Sequence, residues 1–142
     1  MLKFGRDMAD PKLKSAPRSA SRPRLLAAAL RHAWGRDTSY DPAQWSAKNP
    51  AWGQCAVTAL VIQDYCGGAI VSGEVNGIPH YWNRLSSSVE WDLTLTQFGK
   101  SAHHSKAKPC GRDFILSFPD TMRRYHELQQ RVSSHLAPHP QH

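Results

Sequence analysis

A chain of 142 residues with ordinary hydrophobic content can bury one core, so a single domain with tails is expected, and the lack of any apolar run near ~20 residues excludes a membrane-spanning helix. Three cysteines without paired spacing argue against a disulfide framework and for a reducing compartment. The net charge of +7 points to nucleic acid until it is divided: Met1 to Arg24 holds seven Lys or Arg against two Asp, a net of +5, which leaves +2 for the rest; only nonspecific phosphate contacts of a basic tail are expected.

The start, Met1-Leu2-Lys3-Phe4-Gly5-Arg6, lacks the apolar stretch of a secretory signal, so a cytoplasmic location is the expectation. Residues 1–23 mix Lys, Arg, Ser, Ala and Pro with almost nothing to bury, the composition of a disordered tail. A single domain is then expected over residues 24–137, with a short tail at 138–142. Arg24 to Trp34 is rich in strong helix formers and stopped by Gly35, which predicts the first helix. Asp37 to Gly53, with Pro42 and Pro50, should run irregularly while Trp45 and Trp52 anchor it.

Cys55 to Tyr65 carries Ala56, Val57, Ala59, Leu60, Val61 and Ile62 with little polar relief, and Gly67-Gly68 follows. That predicts a central helix enclosed on most sides. Short β-type runs come next: Ala69 to Val75, a turn at Asn76-Gly77, Pro79 to Leu85, and Val89 to Thr94, expected as antiparallel neighbours. Gln97 to Gly111 is polar and reads as a mobile loop. Ser117-Phe118-Pro119-Asp120 has the spacing of a capping box, and Met122, Tyr125, Leu128, Val132 and Leu136 recur at helical spacing, which predicts a last, amphipathic helix.

The order Cys55, His80, Asp92 carries the chemistry. A thiol nucleophile needs a base for its proton, and the base needs a carboxylate to fix its tautomer. Cys55 falls at the first turn of the central helix, where unpaired N–H groups and the helix dipole favour a thiolate. Gly53 permits close backbone approach, and Gln54 can donate to an oxyanion. His80 and Trp82 share one strand face; Asn83 points to the other and is left out of the triad. Asp92, between Trp91 and Leu93 on the next strand, needs a partner if buried, and His80 is the expected one. Trp52 and Trp82 flank the site and are candidate substrate walls, although packing is the commoner role of an indole.

His80-Tyr81-Trp82-Asn83 through Trp91-Asp92-Leu93-Thr94 resembles the His-x-Trp to Trp-x-x-Asp-x-Thr hairpin of transglutaminase-like proteins in the papain-like superfamily, with Cys55 in the nucleophile's place. Trp52-Gly53-Gln54-Cys55-Ala56-Val57-Thr58-Ala59-Leu60, the Gly67-Gly68 stop, the His80 run and Pro119-Asp120-Thr121 resemble the bacterial YunG-like family over most of Leu25 to Val132. The wider resemblance implies an α+β, papain-like (transglutaminase-like) minimal domain, its buried central helix packed on a small antiparallel sheet. Two departures stand out: the Cys55 to His80 interval is short, and Gln54 adjoins the cysteine, whereas the papain-type oxyanion glutamine lies several residues earlier. Gln44 is therefore a rival for that role.

The expected function is a cysteine-nucleophile enzyme acting on an amide or acyl bond, as hydrolase, deamidase or acyltransferase, without metal or cofactor. The alternative is a non-catalytic binding or interaction module on the same scaffold; the substrate, small molecule or peptide, is not named by any residue. Zinc is the rival chemistry, with Cys55, Cys66, His80, His103, His104 and Cys110 as possible ligands. No Cys-x-x-Cys or His-x-x-x-His pair is present, and a helix from Cys55 to Cys66 separates those thiols by ~16 Å. Cys66 is expected to fill core space, and Cys110 with His103 and His104 to lie in the solvated loop.

Overall fold

The computed structural model describes residues 21–86 and 88–137. Most of the expected basic tail and all of residues 138–142 lie outside them. Helix α1, Ser21–Ala33, starts three residues before the expected Arg24. Pro23 is tolerated there because the N–H groups of a first helical turn have no partner within the helix. Trp34 follows α1, is buried, and donates its indole N–H to the Thr58 hydroxyl at 2.9 Å.

The irregular stretch after Gly35 contains a 3-10 turn at Arg36–Thr38. Its indoles were expected to anchor it to the body of the domain, but the bonds they make fasten the stretch to itself: Trp45 Nε1 donates to the Pro50 carbonyl at 3.0 Å and Trp52 Nε1 to Asp41 Oδ2 at 3.1 Å. Helix α2, Cys55–Cys66, is the central helix. Val57 to Ile62 are all buried. Burying Val57, Leu60, Val61 and Ile62 at about 1.5–3 kcal/mol each outweighs the few tenths that β-branched residues lose in a helix.

Strands β1 (Ala69–Val75), β2 (Ile78–Arg84), β3 (Glu90–Trp91) and β4 (His104–Cys110) form one antiparallel sheet in the order β3-β2-β1-β4. The β1–β2 turn falls at Asn76-Gly77, both with positive φ (51° and 84°). The domain is thus α+β, with α2 lying against β1 and β2 and joined to β2 by Asn83 Nδ2, which donates to the Ala59 carbonyl at 3.0 Å.

Four expectations need correction here. The polar stretch from Gln97 to Gly111 is no loop: it holds the end of a 3-10 turn, Leu95–Phe98, and all of β4. As an edge strand, β4 pairs with β1 through its backbone while its side chains from His104 to Pro109 are exposed. No apolar alternation is needed, and Lys106, Lys108 and Pro109 suit an edge that must resist further pairing. Strand β3 is only two residues long, so Asp92 lies just beyond it rather than on it.

The capping box at Ser117 is absent. Ser117 closes a short helix α3, Arg112–Leu116, where its hydroxyl donates to the Phe114 carbonyl at 2.6 Å, and helix α4, Pro119–Leu136, starts from Phe118 with Pro119 in its first turn. Tyr125, Leu128 and Val132 face the core as expected, but Met122 is exposed, while Thr121 in the first turn and Arg124 in the second are buried. Arg124 donates to the Thr38 carbonyl, the Thr121 hydroxyl and Asp120, so its buried guanidinium is provided with acceptors.

Helices α1 and α2 both pack on α4, and their apolar faces form one core with Ile70, Leu85, Trp91 and Leu93. The other face of the sheet has a smaller buried layer of Val71, Val75, His80 and Trp82. Among the described residues no helix is long and apolar enough to cross a membrane.

Candidate functional site

Gly53 sets the position of Cys55. Its φ is +73°, and a Cβ there would lie 2.3 Å from Ser39 Oγ and 2.8 Å from the Tyr40 nitrogen, so a side chain is excluded by space as well as by backbone conformation. The Gly53 carbonyl accepts from Tyr40 N–H at 2.8 Å, and its own N–H donates to Gln97 Oε1 at 3.1 Å. Gln97 also donates to the Thr94 carbonyl and accepts from Asn49. It fastens the chain before Cys55 to the chain after Asp92, a role hidden in a stretch whose composition suggested only solvent.

Cys55, partly exposed, is the first residue of α2. His80 is 2% exposed on β2, where Pro79 can precede it because β3 pairs only with Asn83 and Arg84 and leaves that edge open. His80 Nε2 bonds to Asp92 Oδ2 at 2.7 Å. A carboxylate only accepts, so Nε2 carries the hydrogen and Nδ1 is the remaining ring nitrogen. Nδ1 is buried without a hydrogen-bond partner, and the Cys55 thiol is near enough to favour the charged ring.

Burial opposes a charge on His80, but the hydrogen bond to Asp92 and the influence of Cys55 overcome it and raise the imidazole pKa from 6.5 to about 9. Burial also raises the Tyr81 phenol, with the nearby Cys110 and Cys55 thiols adding to the effect. Cys110 itself is pushed up by burial, against the pull of Lys108.

Trp82 lies beside His80, ring centres 5.9 Å apart, and Phe98 meets the imidazole edge-on at 5.0 Å. Trp82 is 1% exposed and donates its indole N–H to Glu90 Oε1 at 2.7 Å. The same glutamate accepts from Arg84; burial pushes its carboxyl up, but these hydrogen bonds hold it below the usual range. Space for Trp82 comes from Gly73, where a Cβ would lie 2.6 Å from the indole Cη2. Trp82 therefore packs beneath His80 and offers little surface to a ligand.

The arrangement also includes a histidine the sequence reading left in solvent. His104 Nε2 bonds to the same Asp92 Oδ2, at 2.7 Å, and its ring lies 4.2 Å from Trp82 and 6.4 Å from His80. Asp92 Oδ1 accepts from the Thr94 hydroxyl at 3.3 Å. Two imidazoles thus grip one carboxylate from β2 and from β4. The only signal in sequence was His104 itself, among lysines.

Gln54 and Gln44 do not take the expected place. Gln54 is fully buried and its Nε2 donates to the Gly35 carbonyl at 3.0 Å, with Oε1 unpartnered; Gln44 is exposed in the turn before Trp45. Trp52 is half-buried and bound to Asp41. None of the three cysteines is in a disulfide, and Cys66 is in the core. Among the described residues no group of three or more His, Cys, Asp or Glu could hold a metal ion; the two imidazoles on Asp92 spend their Nε2 atoms on its carboxylate.

Compared with known proteins, residues 22–137 match the family model described as YunG protein. Over 108 residues the chain is 34% identical to the Bacillus subtilis (strain 168) protein described as "Uncharacterized protein YunG", an overlap of 75% of this chain and 88% of that protein. No solved structure matches.

Proposed function

The chain belongs to the YunG family, and on that premise we propose that it is a cysteine-nucleophile enzyme acting on an amide or acyl bond through Cys55, His80 and Asp92, on a minimal papain-like (transglutaminase-like) scaffold. The observation that carries the reading is the His80 ring: one nitrogen is held by a carboxylate, the other is buried without a partner, and the partly exposed Cys55 thiol is near enough to favour the charged ring.

In mechanism, His80, charged near neutral pH because its pKa is raised to about 9, holds the Cys55 proton on Nδ1, and a lone pair of the thiolate sulfur forms a C–S bond to the substrate carbonyl carbon as the carbonyl π pair moves to oxygen. The oxyanion is met by the unpaired N–H groups at the first turn of α2, the donors left once Gln54 is committed to Gly35. Collapse expels an amine or alcohol, which takes the proton from His80 and leaves an acyl-Cys55 thioester. Water then gives hydrolysis or deamidation, and a second amine or thiol gives acyl transfer. Asp92 keeps its charge throughout and supports the imidazolium.

Iodoacetamide labelling resolved by cysteine tests the reading. Near neutral pH Cys55 should react far faster than Cys66 or Cys110, and lose that advantage in His80→Ala. Equal, slow labelling of all three cysteines contradicts it and favours a non-catalytic binding module.

A further inference from the structure

We propose that His104 is a positioning residue for this site: from β4 it holds the Asp92 carboxylate in place for His80, and so sets the charge that His80 can carry. The proposal rests on the Cys55–His80–Asp92 reading for its purpose, but its geometry and test concern His80 and Asp92 alone.

Asp92 needs such a hold because its own segment provides little. It lies one residue past a strand only two residues long, and its second oxygen is met by Thr94 at 3.3 Å. Unaided, a short turn of this kind lets a carboxylate swing to solvent. His104 comes from the opposite edge of the sheet and closes on the same Oδ2 at 2.7 Å. Its ring rests on Trp82, which is itself locked over Gly73 and bonded to Glu90. The grip therefore stands on the buried layer of the sheet.

Chemistry fixes the direction of the bond. Both imidazoles must present N–H to the carboxylate, so His104, like His80, has hydrogen on Nε2. The His104 side chain is 30% exposed while that of His80 is fully covered, so the outer ring is in touch with water and the inner one is sealed. Facing His104 are Asp92 in the turn after β3, Glu90 on β3, and His80 and Trp82 on β2; on its own strand Lys106 is paired with Glu74 of β1 at 3.6 Å. A histidine that merely decorated an edge strand would have no reason to point inward across two strands onto a carboxylate already occupied by another imidazole.

The test uses His104→Phe, which keeps a ring on Trp82 and removes the donor, and His104→Gln, whose amide can restore an N–H at similar reach. Imidazole NMR follows the His80 titration in each. The midpoint is expected near 9 in the wild-type protein, lower by roughly one unit in His104→Phe, and largely restored in His104→Gln. Cys55 alkylation near neutral pH should fall several-fold and recover in the same order, with the melting temperature little changed between the two variants. A His80 midpoint that stays or rises in His104→Phe overturns the inference, as does a fall that His104→Gln does not reverse. If His80→Ala leaves Cys55 reactivity untouched, the catalytic reading fails while the His80 titration still decides the role of His104.

Discussion

Asp92→Asn removes a charge while keeping the shape of the side chain, and so isolates what the carboxylate does for His80. In the native site Oδ2 accepts from two imidazoles at 2.7 Å each and Oδ1 accepts from Thr94. An asparagine oxygen has two lone pairs for the same two donors, and its NH2 can donate to Thr94 once that hydroxyl rotates; the variant should fold. Burial alone drives the His80 ring toward neutrality, and Asp92, with Cys55, reverses that to give a pKa of about 9. An opposite charge at this range moves a pKa by roughly 1–3 units, or about 1.4–4 kcal/mol. The His80 NMR midpoint should therefore drop by that amount, and Cys55 alkylation near neutral pH should slow by about tenfold or more. A midpoint still near 9 refutes the argument that Asp92 sustains the imidazolium.

Three further outcomes follow from the packing. Gly73→Ala puts a methyl 2.6 Å from Trp82 Cη2 and 2.7 Å from the Ser105 carbonyl, and should cost about 1–3 kcal/mol, read as a lower urea midpoint at unchanged slope. Gln97→Ala takes the acceptor from Gly53 N–H and the donor from the Thr94 carbonyl; a loss of about 1–2 kcal/mol is expected, with slower Cys55 alkylation as the chain before it loosens. Because the folded pKa of His80 is raised from 6.5 to about 9, its contribution to stability is complete below about 6.5 and is lost as pH rises through about 9, a difference on the order of 3 kcal/mol. Urea unfolding near pH 6 and near pH 10 should show that decline, and His80→Gln should flatten it.

The sequence made the central parts legible where local chemistry and burial agreed. Val57 to Ile62 had to be enclosed, Asn76-Gly77 had to turn, and His80 with Trp82 had to share a face opposite Asn83. It failed where the backbone or a single polar residue carried the structure. Strand β4 has no apolar alternation, its residues from His104 to Pro109 being exposed, so its pairing with β1 and the inward reach of His104 had no signature. Arg124 occupies a core position through hydrogen bonds that hydropathy cannot express. Gln54 looked like an oxyanion donor from its place beside Cys55, yet the Gly35 carbonyl, nineteen residues earlier in the chain, claims its amide. The contact of His80 with Asp92 was legible; the second grip on Asp92 was not.

The central claim is that Cys55 takes up an acyl group with His80 as its base. Incubation with a small activated thioester, followed by mass mapping of the three cysteines, tests it most directly. The account predicts acylation confined to Cys55 in the wild-type protein, decaying as water or an amine accepts the group, and strongly slowed in His80→Ala. Acylation spread evenly over Cys55, Cys66 and Cys110, or unchanged by loss of His80, would contradict it.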